Sequence, residues 1–416
     1  MMKALNDNAH PLESLLQQHC PNGVEFKELG ELELNKILNL GRGKIISQND
    51  LKNCPGEYPV YSSSATKNGE IGKYGKYMFD DERITWSIDG GGKFFYRNHL
   101  KYSVTNVCGW IKVINLDELN TKFLFYALIN EWVKKKFNYT KKAHPSIIKK
   151  EYCIPLPPLE IQSKIVEILD AFTELQVELE AELEARLKQY HYYRNKLLSH
   201  DELENRTAKS RNDSDPTPIV PYVRLGEVCE KISNIKWKEM QNQTFKYIDL
   251  TSVDRENCQI TQTQTITKEN APSRAQQIVQ TDDVICGTTR PTLQRYCYIT
   301  KQYDGQICST GFCVLRANKT QILPKWIFFN LKTNNFLKHI ERFQQGASYP
   351  SIADADLKKF QIPLPPLSVQ EEIVELLDKF DTLTNDLTSG IPAEIEARKK
   401  QYEYYRERLL SFIAKD

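Results

Sequence analysis

Two stretches of the chain place apolar residues in alternating steps of four and three positions. The first stretch places them at Ile161, Ile165, Ile168, Phe172, Leu175 and Leu179. The second stretch places them at Val369, Ile373, Leu376, Phe380, Leu383 and Leu387. This spacing is typical of the seam of a coiled coil. We therefore predict two long helices whose seams pack on each other in antiparallel order; the alternative is that each helix packs on its own domain.

Each predicted helix follows a proline-rich segment with the sequence IPLPPL. Proline lacks an amide donor and does not fit inside a helix. The segment therefore forms a stiff, extended entrance that sets the direction of the helix behind it. The first helix can run from about Glu160 to Ser199, which is roughly 60 Å at ~1.5 Å per residue. In the second helix, Ser389-Gly390-Ile391-Pro392 predicts a break followed by a new helix start.

The two helices belong to an internal duplication. Residues 154–172 and 362–380 are identical at 13 of 19 positions, and residues 184–199 and 396–411 at 12 of 16. Only the first helix contains three successive copies of a four-residue unit, x-E-L-x, within residues 173–184. Each copy adds about one helical turn, or ~6 Å. The number of copies therefore sets the length of the helix in discrete steps.

Two dissimilar segments, 24–153 and 221–361, precede the repeated blocks and contain short β-like runs. The predicted strands are Tyr58–Tyr61, Arg83–Trp86, Phe245–Leu250 and Asp283–Cys286. A helical stretch ends each segment, at Thr121–Phe137 and at Pro324–Phe343. We predict an α+β protein in which two α/β domains with twisted mixed sheets are joined by two long helices, packed as an antiparallel coiled coil.

This pattern divides the chain into six parts. They are an N-terminal helical segment (1–23), a first variable domain (24–153), a first hinge and helix (154–199), a linker (200–220), a second variable domain (221–361) and a second hinge and helix (362–416). The linker is assigned because residues 200–218 are polar and lack apolar periodicity.

Charge alternates along the chain, although the net charge is only +2. Residues 1–152 contain 22 Lys and Arg against 17 Asp and Glu, a balance of +5, and residues 153–220 contain 8 against 13, a balance of −5. Residues 221–360 contain 19 against 13, or +6, and residues 361–416 contain 7 against 11, or −4. The variable domains are therefore the parts of the chain that are suited to contact phosphate.

Loops of the first variable domain provide the first set of candidate DNA contacts. Hydroxyls and cations bind phosphate, and glycine lets the backbone approach it closely. The candidates are Ser62, Ser63, Ser64, Lys67, Ser87, Gly91, Lys93, Tyr96, Lys141 and Lys142. For the segment 87–96, an ordinary hairpin turn is the alternative.

The second variable domain provides a set of different chemistry. Arg pairs with guanine and Gln pairs with adenine in the major groove, so these residue types read base edges. The candidates are Thr288, Thr289, Arg290, Gln294, Arg295, Gln345 and Ser348. A solvated surface loop is the alternative for each of them.

No motif of known catalytic chemistry is visible in the sequence. The segment Gly41-Arg42-Gly43-Lys44 lacks the spacing of a phosphate-binding loop, and neither the seven histidines nor the ten cysteines have the spacing of a metal site. No apolar run approaches the ~20 residues that cross a membrane, and the polar start, Met1 to Leu16, is not a signal peptide. We expect a cytoplasmic, non-catalytic protein with reduced cysteines and no metal or cofactor.

The order of these blocks resembles the specificity subunit of a type I restriction–modification system. A variable domain, IPLPPL..Q..IV..LD.F, a heptad helix and Y.YYR..LLS follow one another twice, and they cover nearly the whole chain. The resemblance implies that each variable domain is a target-recognition domain, which reads one half of a bipartite, asymmetric site in double-stranded DNA. The x-E-L-x copies resemble the short repeats that set the spacer length in this family.

The resemblance also implies protein partners. The helices form a rod that spaces the two domains and docks two DNA adenine methyltransferase subunits, and restriction and translocase subunits join that core. Methylation, ATP hydrolysis and cleavage then belong to the partners, which bind S-adenosylmethionine, ATP and Mg²⁺ in place of this chain. Two other hypotheses remain: a structural coiled-coil adaptor that joins two protein-binding domains, and a DNA-modifying enzyme with an unrecognised active site.

Overall fold

The computed structural model describes residues 20, 23–63, 67–98, 100–135, 137–138, 140–211, 220–386 and 388–412. The predicted N-terminal helical segment, 1–23, lies almost wholly outside the described residues. The chain forms two compact units. Unit 1 comprises Met1–Glu178 and Ala397–Asp416, and unit 2 comprises Leu179–Glu396. Each unit therefore contains one variable domain together with parts of both predicted long helices.

The helices and strands are numbered here in chain order over the described residues. The helices are α1 (Leu29–Leu34), α2 (Gln48–Asn53), α3 (Thr121–Trp132), α4 (Pro145–Glu151), α5 (Leu159–Leu197), α6 (His200–Arg211), α7 (Pro324–Leu331), α8 (Asn334–Phe343), α9 (Asp354–Leu357), α10 (Leu367–Asn385) and α11 (Ile391–Leu410). The strands of unit 1 are β1 (Phe26–Glu28), β2 (Leu38–Arg42), β3 (Tyr58–Tyr61), β4 (Glu70–Tyr74), β5 (Arg83–Ser87), β6 (Phe94–Arg97), β7 (Ser103–Val104), β8 (Cys108–Val113) and β9 (Cys153–Pro155). The strands of unit 2 are β10 (Tyr222–Arg224), β11 (Cys229–Glu230), β12 (Phe245–Ile248), β13 (Gln264–Ile266), β14 (Ala275–Ile278), β15 (Val284–Gly287), β16 (Tyr296–Tyr298), β17 (Ile307–Ser309), β18 (Phe312–Ala317) and β19 (Gln361–Pro363).

The two variable domains share one arrangement of strands. Each contains an antiparallel four-stranded sheet, with the order β2-β8-β5-β6 in unit 1 and β11-β18-β15-β16 in unit 2. The second sheet has the order β4-β3-β7 in unit 1 and β13-β12-β17-β14, with one more strand, in unit 2. Each of these sheets includes one parallel pair, β3 with β7 and β12 with β17. The structure thus divides the predicted mixed sheet of each domain into two sheets, and it shows a common topology that the dissimilar sequences conceal.

The helical stretches that end the variable domains differ from the prediction in two ways. The first ends at Trp132 and not at Phe137. The second is two helices, α7 and α8, because the Thr333 side chain accepts a hydrogen bond from the Phe336 amide and caps a new helix. Each domain core holds a buried tryptophan whose indole nitrogen has a backbone partner, as Trp86 has in the Ala143 carbonyl (2.8 Å).

The proline-rich hinge of each repeat begins as a short strand. Phe26 pairs with Pro155 in unit 1, and Tyr222 pairs with Pro363 in unit 2, both in antiparallel ladders. The extended conformation predicted from the prolines is confirmed. Each ladder joins the first strand of a variable domain to its last, so the long helix leaves from the point where its domain closes.

A buried glutamine fixes the first turn of each long helix to its own domain. The Gln162 amide nitrogen donates to the carbonyls of Glu118 (2.9 Å) and Pro157 (2.8 Å), and its oxygen accepts from the Asn120 amide (2.8 Å). Gln370 has the equivalent set, with the carbonyls of Gln321 (3.1 Å) and Pro365 (2.9 Å) and the Leu323 amide (2.9 Å). Both glutamines are fully buried. We call this three-bond contact the glutamine clamp.

The two long helical segments differ as the sequence predicted. α5 is continuous over 39 residues, whereas α10 and α11 are separate helices. A Cβ atom at Gly390 would lie 2.5 Å from the Thr382 carbonyl oxygen, so only glycine fits the break. The Asp386 carboxylate accepts from the Thr388 amide (2.7 Å) and stabilises the turn. The break at Gly390 is therefore confirmed.

The stripe of buried residues on each helix differs from the predicted seam. Ile161 and Ile165 are fully buried, but the next fully buried position is Leu169, while Ile168 is half-buried. In the second copy Leu377 is fully buried, and the predicted Leu376 and Leu383 are exposed. The fully buried positions are four residues apart and face the helix's own domain. They depart from the predicted seam because a straight helix has about 3.6 residues per turn, whereas the seam assumes 3.5. Leu387 lies outside the described residues.

Beyond that stripe, each helix of one repeat packs on the helix of the other. Within unit 1 the rings of Phe172 and Tyr405 stack with centroids 5.3 Å apart, and within unit 2 Phe380 and Tyr193 stack at 5.6 Å. Phe172 corresponds to Phe380 in the duplication, and Tyr193 corresponds to Tyr405. The helices therefore run in antiparallel order, and each unit is completed by a segment from the other repeat. Leu175 and Leu179 are half-buried beside these contacts.

The predicted linker, 200–220, is a helix over much of its length. α6 spans His200–Arg211, and it buries Leu203 completely in the core of unit 2. Arg206 forms ion pairs with Glu202 on its own helix and with Glu372 on α10. One buried leucine does not produce an apolar period in the sequence. The polar composition therefore predicted a linker where the structure has a helix.

All ten cysteines are free. Among the described residues, no helix combines the length and the apolar character that crossing a membrane requires.

We expect the substitution Gln162→Leu to destabilise unit 1. It removes the partner of one backbone amide and two carbonyls, and the bond to the Pro157 carbonyl is fully buried. A buried group without a partner costs about 1–3 kcal/mol. Calorimetry and hydrogen exchange of the first turns of α5 measure the effect.

Ser163→Ala is the matched control, because Ser163 is exposed on the same helix turn. An unfolding transition and exchange rates that are equal in Gln162→Leu and Ser163→Ala would contradict the structural role of the glutamine clamp.

Candidate nucleic-acid interface

Each variable domain has one loop, predicted to contact DNA, that lies at the same position in the fold. Residues 87–96 form the turn between β5 and β6, and residues 287–296 form the turn between β15 and β16. In both units these two strands end the order of the four-stranded sheet. We call these turns the tip hairpins. The two hairpins share almost no residues, so their equivalence is not visible in the sequence.

In unit 2 the tip hairpin is bound to the second predicted loop, residues 344–349, through a short segment that follows it. The Arg290 amide donates to the Pro350 carbonyl (2.7 Å), and the Ile352 amide donates to the Thr288 carbonyl (2.9 Å). Gln345 and Ser351 exchange two backbone hydrogen bonds of 2.8 Å. The two candidate loops of unit 2 therefore form one continuous surface.

The side chains on this surface are those able to read bases. Arg290, Gln294, Gln345 and Ser348 are all exposed. The Arg290 guanidinium lies 4.5 Å from the centroid of the exposed Tyr349 ring. Arg290 and Gln294 have positive φ values of 48° and 55°, a backbone region that is sparsely populated by residues other than glycine and is enriched at functional sites.

Three arginines converge at the tip hairpin of unit 2. Burial lowers the pKa of Arg295, and the neighbouring charges of Arg255 and Arg290 lower it further. Among the described residues, no carboxylate forms an ion pair with Arg255, Arg290 or Arg295. Since their mutual repulsion has no internal compensation, an anionic ligand is the natural counter-charge. Arg255 was not predicted, because it precedes Arg290 by 35 positions in the sequence.

The threonines of this loop have structural roles. The Thr288 hydroxyl is buried and donates to the Gly311 carbonyl (2.9 Å). Thr289 forms an isolated bridge with Ser351. The Thr288 hydroxyl is thus bonded inside the domain and Thr289 joins the two loops, while their contact with DNA stays a prediction.

In unit 1 the predicted serines build the base of the tip hairpin. Ser87 is fully buried, and its hydroxyl donates to the Ser63 carbonyl (3.1 Å). The Ser63 hydroxyl donates to the Val107 carbonyl (2.8 Å) and accepts from the Asp89 amide (2.8 Å). The Ser62 hydroxyl bonds that of Thr105 (2.8 Å). These internal bonds give the serines a role in shaping the loop, and their contact with DNA stays a prediction.

Ser64 and the side chain of Lys67 lie outside the described part of the chain.

Glycine and tyrosine of the first tip hairpin also have internal partners. Gly91 has a φ of +89°, and its carbonyl accepts from the indole of Trp132 (2.8 Å). The Tyr96 hydroxyl donates to Glu82. Lys93 is exposed, with its ammonium 5.4 Å from the centre of the Phe95 ring. Of these three predicted contacts, Lys93 alone presents a charge to solvent.

The other predicted lysines of unit 1 are paired with acids. Lys141 lies 3.0 Å from a Glu151 carboxylate oxygen, and Lys142 lies 3.2 Å from Asp89. The basic residues of the candidate surfaces therefore differ between the units. Lys141 and Lys142 of unit 1 are paired with acids, whereas among the described residues of unit 2 no carboxylate pairs with Arg290 or Arg295. Among the described residues, no group of three or more His, Cys, Asp or Glu could hold a metal ion.

The chain is similar to one family of proteins over most of its length. The profile of the type I restriction modification DNA specificity domain matches residues 21–189 and again 220–397. A putative type I specificity subunit of Mycoplasma pneumoniae is 30% identical over 385 residues, which cover 92% of this chain and 97% of the relative. A putative type I restriction enzyme specificity subunit of Haemophilus influenzae is 28% identical over 453 residues, covering 98% and 100%.

A solved structure shares the fold. The crystal structure of the S subunit of a type I restriction–modification system from M. genitalium superimposes with a TM-score of 0.56 at 17% identity, covering 93% of this chain and 96% of the other.

We expect Arg290→Ala and Arg295→Ala to weaken binding to a duplex of arbitrary sequence. Each phosphate contact that is lost lowers the slope of log affinity against log salt concentration by about 0.9. Fluorescence anisotropy over a salt series measures both the affinity and the slope.

Lys379→Ala is the matched control, because Lys379 is exposed on α10 of the same unit and pairs with Glu375 (2.7 Å). Slopes that are equal in the arginine variants and the control would place the DNA contact elsewhere on unit 2.

Proposed function

The chain belongs to the family of type I restriction–modification specificity subunits, and we propose that each of its variable domains reads a different half of one asymmetric DNA site. Sequence-specific recognition of DNA is the role of the chain. One observation carries the proposal: the tip hairpins have the same position in two four-stranded sheets of equal strand order but carry different side chains. One scaffold with two dissimilar reading surfaces fits a target whose halves differ.

The chemistry of the tip hairpins supports different readout in the two units. Arg290, Gln294 and Gln345 in unit 2 offer the forked donors and amides that pair with guanine and adenine. Lys93 in unit 1 offers a single point charge, which suits a phosphate. The hypothesis of a structural adaptor has no comparable support, since the relatives described above are named specificity subunits.

Catalysis by partner subunits is the second part of the proposal. Methylation, ATP hydrolysis and cleavage are assigned to those partners, which bind S-adenosylmethionine, ATP and Mg²⁺. The chain contributes target recognition and a docking surface for them.

An exposed stripe that is identical in both repeats supports docking of two copies of one partner. Glu184, Lys188 and Tyr192 lie one turn apart on α5, and the ion pair between the first two measures 2.6 Å. Their equivalents on α11 are Glu396, Lys400 and Tyr404. We call these two sets the repeated stripes.

The tyrosines of the repeated stripes show that the likeness extends to geometry. Tyr192 is 61% exposed and Tyr404 is 57% exposed. Each ring lies 5.4 Å from the next tyrosine ring in an edge-to-face arrangement. Packing within the chain does not explain identity at solvent-facing positions. A partner that binds the same surface twice does, and the two methyltransferase subunits are the proposed occupants.

Selection from a randomised duplex pool tests the recognition proposal. We expect the chain, assembled with its methylation partner, to retain one bipartite sequence whose halves are unrelated. Sequencing of the retained DNA is the measurement. Retention without sequence preference, or of a palindrome, would refute the reading by two different domains.

Substitution of the repeated stripes tests the docking proposal. We expect Tyr192→Ser and Tyr404→Ser each to reduce the number of bound methyltransferase subunits from two to one, and the double variant to bind none tightly. Each substitution removes a large exposed aromatic contact of the kind that dominates interface energies. Native mass spectrometry counts the subunits.

His191→Ser with Glu403→Ser is the control, because these neighbouring positions are exposed but differ between the repeats. If the tyrosine variants assemble as the control does, the repeated stripes are not the docking surface.

A further inference from the structure

A second polar contact joins each variable domain to its long helix. In unit 1 the Lys122 ammonium on α3 lies 2.7 Å from the Asp170 carboxylate on α5. The same ammonium lies 5.5 Å from the centroid of the Tyr96 ring, whose hydroxyl donates to Glu82. Burial and then the bond to Glu82 raise the pKa of Tyr96, so its hydroxyl keeps the proton that it donates.

Unit 2 contains the same four groups in the same relation. Lys325 on α7 pairs with Asp378 on α10, and its ammonium lies 5.4 Å from the ring of Tyr298. The Tyr298 hydroxyl donates to Asp282. We call each set of four residues the domain joint.

The joint recurs although the domains around it have diverged. The sequence offsets between equivalent members are not constant: 200 for the acid that binds tyrosine, 202 for the tyrosine, 203 for the lysine and 208 for the helix aspartate. No alignment of the variable domains with a single register brings these residues together, but the shared topology does.

With the glutamine clamp, the joint holds each helix at two points. Gln162 and Asp170 are eight residues apart, as are Gln370 and Asp378, which is about 12 Å along a helix. A helix held at one point can pivot about it. Two points at this separation fix its direction relative to the domain, in both units alike.

Stability alone does not account for the joint. The lysine and aspartate side chains are between 23% and 36% exposed, and ion pairs of that kind contribute little to stability. The buried residues Ile165 and Leu169 already supply apolar contact between the two points. Apolar surfaces can slide on one another, whereas directional bonds select one arrangement.

We propose that the domain joint is a positioning device, which fixes the angle at which each recognition domain stands on its helix and thereby the spacer length between half-sites that the protein accepts. The inference rests on the proposed function, because spacer length has a meaning only for a bipartite target. Lys122, Asp170 and Tyr96 act here through the domain that they hold, and not through contact with DNA.

The test compares binding to DNAs that carry the selected half-sites at the preferred spacing and at one base pair more or less. The ratio of the affinities is the spacer discrimination. We expect Lys122→Met to reduce it about fivefold or more, the lower range of coupling between sites, while both half-site sequences stay unchanged. We expect Lys122→Arg, which retains the charge and the bond to Asp170, to restore the discrimination.

Two comparison variants define the scale. Deletion of Val177–Glu180, one x-E-L-x copy, changes the length of α5 and is expected to move the preferred spacing itself. Lys134→Met removes an exposed ion pair with Glu131 in the same domain (2.7 Å) and is expected to leave the discrimination as in the unaltered chain. Melting temperatures of all variants separate loss of stability from loss of position.

The outcomes distinguish the two proposals. If the unaltered chain selects no sequence, the proposed function fails. If it selects a bipartite site and Lys122→Met keeps the full spacer discrimination, the positioning role is wrong while recognition holds. If Lys122→Met does not fold, Tyr96→Phe provides the same comparison, because it removes only the hydroxyl that binds Glu82.

Discussion

A single side-chain amide at the start of each long helix determines how the rest of the molecule is organised. Gln162 and Gln370 each join three backbone groups that the proline-rich hinge and the preceding loop would otherwise leave unpaired in the core. Because a buried backbone group without a partner is costly, the helix can begin only where the glutamine reaches all three. The strand ladder, the variable domain and the helix direction are therefore determined together. The rest of the domain can change its sequence as long as this point is kept.

Features that local rules decide could be predicted from the sequence, and features that depend on distant contacts could not. The hinge, the helices and the break at Gly390 were predictable, because local rules for proline, glycine and apolar spacing decide them. Strand order was not, since the pairing of β5 with β8 depends on residues far apart in the chain. The buried stripe includes Leu377 and not the predicted Leu376, because the helix packs on its own domain and does not keep the ideal spacing of a coiled coil. α6 was missed because Leu203 is the one apolar residue that the described part of this helix buries. Arg255 joins its cluster only in three dimensions, whereas Arg290 and Gln294 were found because their chemistry is itself the signal.

The two units show how one framework can present different chemistry. The tip hairpins occupy the same place in the fold, but their surroundings differ. In unit 1 Lys141 and Lys142, which lie outside the hairpin, pair with Glu151 and Asp89. In the described part of unit 2, no carboxylate pairs with Arg290 or Arg295. The hydroxyls of Ser63 and Ser87 stabilise the shape of the first hairpin through internal hydrogen bonds, as the Thr288 hydroxyl does in the second. The polar groups that shape each loop are thus separate from those exposed at its surface. A surface residue can be exchanged without disturbing the loop that presents it.

The exchange of helical segments between the repeats has a consequence for the order in which the protein is made. Residues 1–178 leave the ribosome first, but unit 1 is complete only when Ala397–Leu410 has been synthesised and Tyr405 can cover Phe172. Unit 2 comprises Leu179–Glu396, so its last residue is made earlier. The half of the molecule that is translated first is therefore finished last, and during elongation it exposes an apolar surface that awaits a distant segment. Loss of Ala397–Leu410 would therefore remove part of unit 1 and no residue of unit 2.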